Sequence, residues 1–249
     1  MHNTVAFRRT SGAAVEDLTI MTPLADPNIH IEGNFLFIGE HNTLAGILVL
    51  GAQVDDAQLD TPSLRRQTLY DLNPIDAAAE PTDPSKLIDL SAAPLQLVTG
   101  EGIRAFTDNN AAAAVDSFII LLLASGALQP VKGDIITLRC TSATTLVANA
   151  WSNCVLTLSQ TLPVGRYAIV GASFSSTGCI AGRIVPVGQT GRPGGVGCDT
   201  FNHIGPINQR GGGWGVWCEF ESSTPPSVDI LSVSADTAEV IWLDLIKLS

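Results

Sequence analysis

Cys198, Asp199 and His203 stand within six positions of one another, a grouping that could hold a metal ion or set a nucleophile beside its base. Ligands four residues apart share a face only on a helix. The surrounding GQTGRPGGVGCDTFNHIGPINQRGGGWG has too much glycine and proline to form one, so His203 reads as a polar loop residue. His2, His30 and His41 have no cysteine or carboxylate pattern around them. The opening of that stretch, GQTGRPGGVGCD (188–199), follows the apolar IAGRIVPV and so invites comparison with a phosphate-binding loop. It fails both tests. A Walker loop requires GxxxxGK followed by Ser or Thr, and a dinucleotide fingerprint requires GxGxxG leading into a helix; lysine is absent and no helix can follow. Gly191, Gly194, Gly195 and Gly197 are therefore expected to serve the backbone, through positive φ or the close approach of another chain.

Other constellations also fall short of chemistry. GASFS lacks the final glycine of a serine elbow. Asp55, Asp56 and Asp60 lack the central glycine and closing glutamate of an EF-hand and read as a solvated acidic face. The five cysteines, Cys140, Cys154, Cys179, Cys198 and Cys218, are widely spaced and include no CxxC pair. The odd count argues against a complete disulfide framework and for synthesis in a reducing compartment. The expectation is a protein that is not an enzyme, with no catalytic residue, no cofactor and no metal. In WGVWCEFE, alternation sets Trp214, Val216, Cys218 and Phe220 on one face and Trp217, Glu219 and Glu221 on the other. An exposed Trp217 would give a platform for a sugar or a partner, so a carbohydrate-binding or adhesion β-sandwich module is the alternative reading.

The elements that would carry these residues are strands. From Ser117 onward, short apolar runs separated by turn signals follow one another: SFIILLLA, DIITLRC, CVLTLS, RYAIVGASF, CIAGRIVPV, WGVWCEFE, VDILSVS and AEVIWLDLIKL. Helices able to cross between parallel strands are missing, which leaves an antiparallel two-sheet arrangement. VEDLTIM, IHIEGNFLFIG and LAGILVLGA add three strands earlier in the chain. Between Asp55 and Pro94 the texture turns acidic and proline-containing, and is read as a long surface excursion with one short helix over Ser63–Tyr70. The expected fold is all-β: an antiparallel β-sandwich or jelly roll over 111–249, with a β-rich N-terminal arm or partial second barrel over 1–110 that carries the excursion of 55–94.

Charge and hydropathy narrow the partners. With 13 basic and 24 acidic residues the net charge is -11, the wrong sign for gripping phosphate backbones, and only Arg8 and Arg9 cluster near the N-terminus. Strong direct nucleic-acid binding is not expected. Asp116 interrupts the run AAAAVDSFIILLLASGAL and its fully apolar part is too short to span a bilayer, so it reads as a buried strand. The first twenty residues lack the apolar core of a cleaved secretory signal.

The block LPVGRYAIVGASFSSTGCIAGRIVPVGQTGRPGGVGCD, residues 162–199, resembles the late β-hairpin and glycine–proline loop of jelly-roll capsid and structural proteins of tailless icosahedral bacterial and archaeal viruses. The likeness covers about a sixth of the chain and transfers no catalytic residue. It implies a non-enzymatic structural protein, a capsid or head-surface component made in the host cytoplasm and located in the virion. Its partners would be copies of itself, as trimers or hexamers, and other virion proteins. Contacts between subunits are then expected at Arg192, Pro193, Gly194, Gly195 and Trp217, and at Leu64 and Leu69 in the acidic excursion.

Overall fold

The structure is a computed structural model and describes residues 2–11, 15–21, 29–32, 35–39, 42–50, 54–63, 66–72, 87–109, 115–199 and 210–249. Every regular element among them is a β-strand. Two compact units result, the first running in the main from Val5 to Gly126, the second taking Ala127–Ser249 together with His2–Thr4.

The strands of the first unit are β1 (His2–Ser11), β2 (Val15–Asp17), β3 (Thr19–Ile20), β4 (Ile29–Glu32), β5 (Phe35–Ile38), β6 (Thr43–Leu50), β7 (Val54–Ser63), β8 (Arg66–Leu72), β9 (Leu87–Asp89), β10 (Leu95–Gln96), β11 (Gly102–Asn109) and β12 (Val115–Ala124). One sheet has the order β10-β6-β12-β1-β3, with β9 also on β6; the other has β4-β5-β11-β7-β8, with β2 also on β11. Both contribute to one core, where Val5, Phe7, Leu44, Ile47, Ile119, Leu121 and Leu123 of the first sheet meet Leu36, Ile103 and Ala105 of the second. The run Phe118–Ala124 is buried on both faces of its strand, which is why it shows no alternation. The sequence pattern assigns this run to the second domain, beginning at 111. Instead β12 pairs with β6 from Phe118↔Leu50 to Ala124↔Thr43 and belongs to the first unit, whose boundary falls at Gly126.

The acidic stretch also departs from its expectation. Asp55–Pro94 is not a single surface excursion, and no helix occupies Ser63–Tyr70. Val54–Ser63 and Arg66–Leu72 form an antiparallel pair, Ala57↔Leu72 and Leu59↔Tyr70, and β7 also pairs with β11 from Arg104↔Asp60 onward. Aspartate and proline lower intrinsic strand propensity by less than the ladder of a neighbouring strand restores it.

The second unit contains β13 (Ile136–Ser142), β14 (Ala150–Cys154), β15 (Thr157–Leu158), β16 (Arg166–Ser176), β17 (Cys179–Val185), β18 (Gly194–Asp199), β19 (Cys218–Glu221), β20 (Ser227–Ser232) and β21 (Glu239–Lys247). Setting aside the two-residue β15, eight principal strands remain. The first, eighth, third and sixth (β13-β21-β16-β19) form one layer, and the second, seventh, fourth and fifth (β14-β20-β17-β18) the other. This is the jelly-roll order of two nested Greek keys. The first unit repeats it: β1-β12-β6 with β9 and β10, then β5-β11-β7-β8. Of the two expectations for the N-terminal part, arm or second barrel, the strand order is that of a barrel.

Strand β18 joins the layers of the second unit. Gly194, Gly195 and Val196 pair antiparallel with β17, while Gly197, Cys198 and Asp199 run parallel to Phe174, Ser175 and Ser176 of β16. The segment read as a glycine loop is therefore half strand. Its glycines permit close approach: a side chain at Gly194 would meet Arg183 Cα at 2.6 Å, and one at Gly197 the Ile180 carbonyl carbon at 2.9 Å. Positive φ is found only at Gly188 within 188–199, at 72°. Across the core, Gly182 of β17 faces the fully buried ring of Phe174 on β16, and a Cβ there would overlap the ring. Gly182→Ala is expected to cost on the order of 2–3 kcal/mol in urea unfolding by this overpacking. Phe174→Leu in the same chain should then be less damaging than it is alone; additive losses would show that the ring is not what forbids the methyl group.

Candidate functional site

The expected contact residues are best followed from the Gly188 turn. Arg192 folds its guanidinium back over its own loop, Nη1 donating to the carbonyls of Gln189, Thr190 and Gly191 at 3.0, 3.1 and 3.0 Å. Its carbonyl accepts the amide of Thr4 at 2.8 Å, and the buried Pro193 accepts the amide of Ile184 at 2.6 Å. Gly194 and Gly195 are buried in β18. This tetrad closes the unit on itself through its backbone, because a strand that joins two layers must satisfy its backbone on both sides. Leu69 lies in β8, which ends its sheet, opposite the register shift between Leu59 and Asp60. Leu64 and His203 lie outside the described residues.

Trp217 is 2% exposed, so it offers no face on which a sugar could stack. Its alternation with Trp214 does not hold either, since β19 begins only at Cys218 and the preceding Trp214–Gly215 turn, with Gly215 at φ 81°, buries both indoles. The His2 ring packs tilted against Trp217 with centroids 6.3 Å apart. Beside Trp217 an open groove of about 620 Å³ runs along the edge strand β19, lined by Val216, Glu219, Thr224, Gln189 and Arg166. Arg166 and Glu219 pair across it, and Gln189 Nε2 donates to the Glu219 carbonyl at 2.9 Å, blunting the free edge of the strand.

Two polar clusters escape sequence reasoning, although each is marked by a lone charge inside an apolar run. In CIAGRIV, Arg183 is 1% exposed. It donates from Nε to Asp229 Oδ2 at 2.8 Å, lies with its guanidinium carbon 4.2 Å from the Trp151 ring centroid, and is extended across the sheet by Asn153 Nδ2 donating to Asp229 Oδ1 at 2.8 Å. Register makes this ladder: Arg183↔Asp229 on β17 and β20, Asn153↔Asp229 on β14 and β20. In VIWLDLIKL, Asp244 receives Arg210 Nη2 at 2.7 Å, Arg210 Nε at 3.1 Å, the Gly211 amide at 2.9 Å and Thr137 Oγ1 at 2.8 Å. Burial alone would raise its pKa, but these four donors outweigh it and hold the carboxyl below its usual value. That anchor fixes the chain where it re-enters β-structure before β19. Near the N-terminus, Arg8 and Arg9 are engaged by Asp116 and Glu16, so they are strand pairs rather than a basic arm.

Among the described residues, no group of three or more His, Cys, Asp and Glu comes together as a metal site, and no helix is long and apolar enough to cross a membrane. Cys140, Cys154, Cys179 and Cys218 are buried as thiols. Burial pushes Cys140 and Cys218 up to about 12.

No protein-family model matches the chain, and no curated protein matches it. Among solved structures, the major capsid protein P2 of bacteriophage PM2 is similar at 13% identity over 100% of this chain and 98% of that one, with a TM-score of 0.25. So distant a likeness carries no functional inference; the strand order of the two units is the firmer guide to class, a tandem pair of jelly-roll β-sandwiches.

Two measurements test these assignments. Cys140 and Cys218 should resist a thiol-specific alkylating reagent in the native protein at neutral pH and react fully in urea, since only an exposed thiolate is nucleophilic; native labelling of either would contradict the burial. Asp229→Ala should cost about 3–5 kcal/mol in denaturant unfolding, because the guanidinium of Arg183 is left buried without its carboxylate. Converting the pair together to Met and Leu should recover most of that loss.

Proposed function

We propose that the chain is a non-enzymatic structural subunit that assembles with copies of itself into a symmetric shell, as a capsid or head-surface protein of a virion. The observation that carries this reading is the repetition of one strand order in both halves of the chain. Jelly rolls serve as capsid building blocks and as lectins; the lectin reading lost its aromatic platform with the burial of Trp217. A chain with two units of like strand order carries two like modules, so a trimer supplies six.

The second unit has surface suited to such contacts. On the outer side of β21, Trp242 is solvent-exposed, Ile136 is exposed where β13 begins, and Val155, Val164 and Val187 project from loops with more than half of their surface open. Trp242 is flanked by the short side chain of Ser173 on β16 and by Arg139 on β13, its register partners. A large aromatic group among small and basic neighbours is a common centre of subunit contacts. Strand β15 and strand β14 end the ladders of this unit and leave backbone groups to be covered.

Light scattering on the purified protein is expected to give a trimer or a multiple of it, and negative-stain micrographs should show rings or closed shells. Trp242→Ala is expected to lower the assembly state at fixed concentration while urea unfolding of the subunit changes little. A monodisperse monomer at high concentration would overturn the reading.

A further inference from the structure

One end of the second sandwich holds a buried acid with no cation to balance it among the described residues. Glu239 is 1% exposed, and neither carboxyl oxygen makes a hydrogen bond of ordinary geometry. Its position in β21 continues the inward-facing series Ile241, Leu243 and Leu245, so the carboxyl stands where a core aliphatic would otherwise lie. Ser142 of β13 is its register partner, and one position past the Ser175↔Val240 pair, β16 brings Ser176, whose hydroxyl is also buried without a partner. Cys154 of β14 lies in the same cluster, its thiol pushed up to about 11 first by burial and then by the nearby Glu239.

Among the described residues, the segment that covers this cluster is the one that follows Ser142, whose Oγ donates to Thr144 Oγ1 at 3.0 Å. Ala143–Asn149 leaves β13, crosses the end of the sandwich and turns into β14 through Asn149, the one described non-glycine residue with positive φ, at 58°. Its anchors are the Thr144 amide to Ser142 Oγ at 3.2 Å, the Leu146 amide to the Asp236 carbonyl at 2.8 Å, the Val147 amide to Ser152 Oγ at 2.9 Å and the Asn149 amide to the Ser232 carbonyl at 2.7 Å. Leu146, 1% exposed, is the apolar plug. At a position 1% exposed, with no cation beside it among the described residues, an ionised carboxylate is disfavoured, whereas the neutral acid tolerates the site.

We propose that Ala143–Asn149 is a proton-held lid, closed over the end of the second jelly roll while Glu239 is neutral and released when Glu239 ionises. The charged and titratable groups around Glu239 favour the same direction. Asp236, in the turn before β21, adds a like charge; its own carboxyl is spent on the amides of Thr177 and Thr237. Asp229 of β20 is tied to Arg183 and Asn153. Burial is the largest cause and raises the pKa of Glu239 above its ordinary value; its own amide opposes that, Asp236 adds to it, and Ser142 gives the ionised form the smallest help. A raised pKa in the closed state means that closure is favoured fully below the ordinary glutamate value. That preference is lost progressively as pH rises toward the closed-state value.

Cys154 under the lid is the reporter, and dividing its alkylation rate in the native protein by its rate in the urea-unfolded chain at the same pH cancels the pH dependence of thiolate formation. This native-to-unfolded ratio for Cys154, read by mass spectrometry, should be flat below the ordinary glutamate pKa of 4.5. Above it the ratio should climb by up to about tenfold per pH unit, then level off. Glu239→Gln should give a flat ratio throughout. A pH-independent ratio in the native sequence, or a climb that survives in Glu239→Gln, overturns the proposal. If that variant does not fold, exchange of the Leu146 and Val147 amides in the native sequence, corrected for intrinsic rates, decides alone: the same climb supports the lid and its absence overturns it.

Discussion

The second sandwich closes on itself because three positions carry no side chain. Gly194 and Gly197 let β18 lie against β17 and then beside β16, and Gly182 leaves room for the Phe174 ring between the layers. Without that close approach the two sheets would each end in an open edge at β18. With it, nine strands form one continuous hydrogen-bonded surface wrapped around a single core. The constraint is steric and local, yet it sets the spacing of the layers on which every other contact in this unit depends.

Around this frame, Arg183, Asp229 and Asp244 are buried with partners that strand register or an adjoining segment supplies. Arg183, Asp229 and Asn153 line up because adjacent strands hold register partners within hydrogen-bond reach. Asp244 is reached by Arg210 from outside the ladder, which tethers the long connection before β19 to the sheet. Glu239 lacks such a neighbour. The contrast follows from position: Arg183 and Asp229 sit mid-strand with neighbours on both sides, whereas Glu239 begins its strand at the end of the barrel, where the facing groups are two serines, a thiol and a short covering segment.

On the proposed reading, the repetition of strand order puts function on the surface rather than in a pocket. A scaffold made twice in one chain offers two like sets of edges and faces, while its interior is filled by aliphatic and aromatic side chains. The groove beside Trp217 is bridged by Arg166 and Glu219, and its edge strand is already capped by Gln189. Assembly through outer sheet faces uses what such a scaffold has in excess.

Composition and alternation were enough to determine an all-β chain with a two-sheet C-terminal part. In DIITLRC the period of two is plain, and the inward positions Leu138 and Cys140 are buried as alternation requires. The absence of a phosphate loop at Gly188–Asp199 was also legible, since motif and helix were both missing. Four matters were decided only by tertiary structure: that Val54–Leu72 is a strand pair, that β12 belongs to the first unit, that GGVGCD is a strand, and that Trp217 is buried. In the first three the deciding partner is distant in sequence: β11 for β7, β6 for β12, β16 and β17 for β18. Strand pairing is a long-range bond between backbones, and backbones carry no residue label by which one strand could be matched to another in advance.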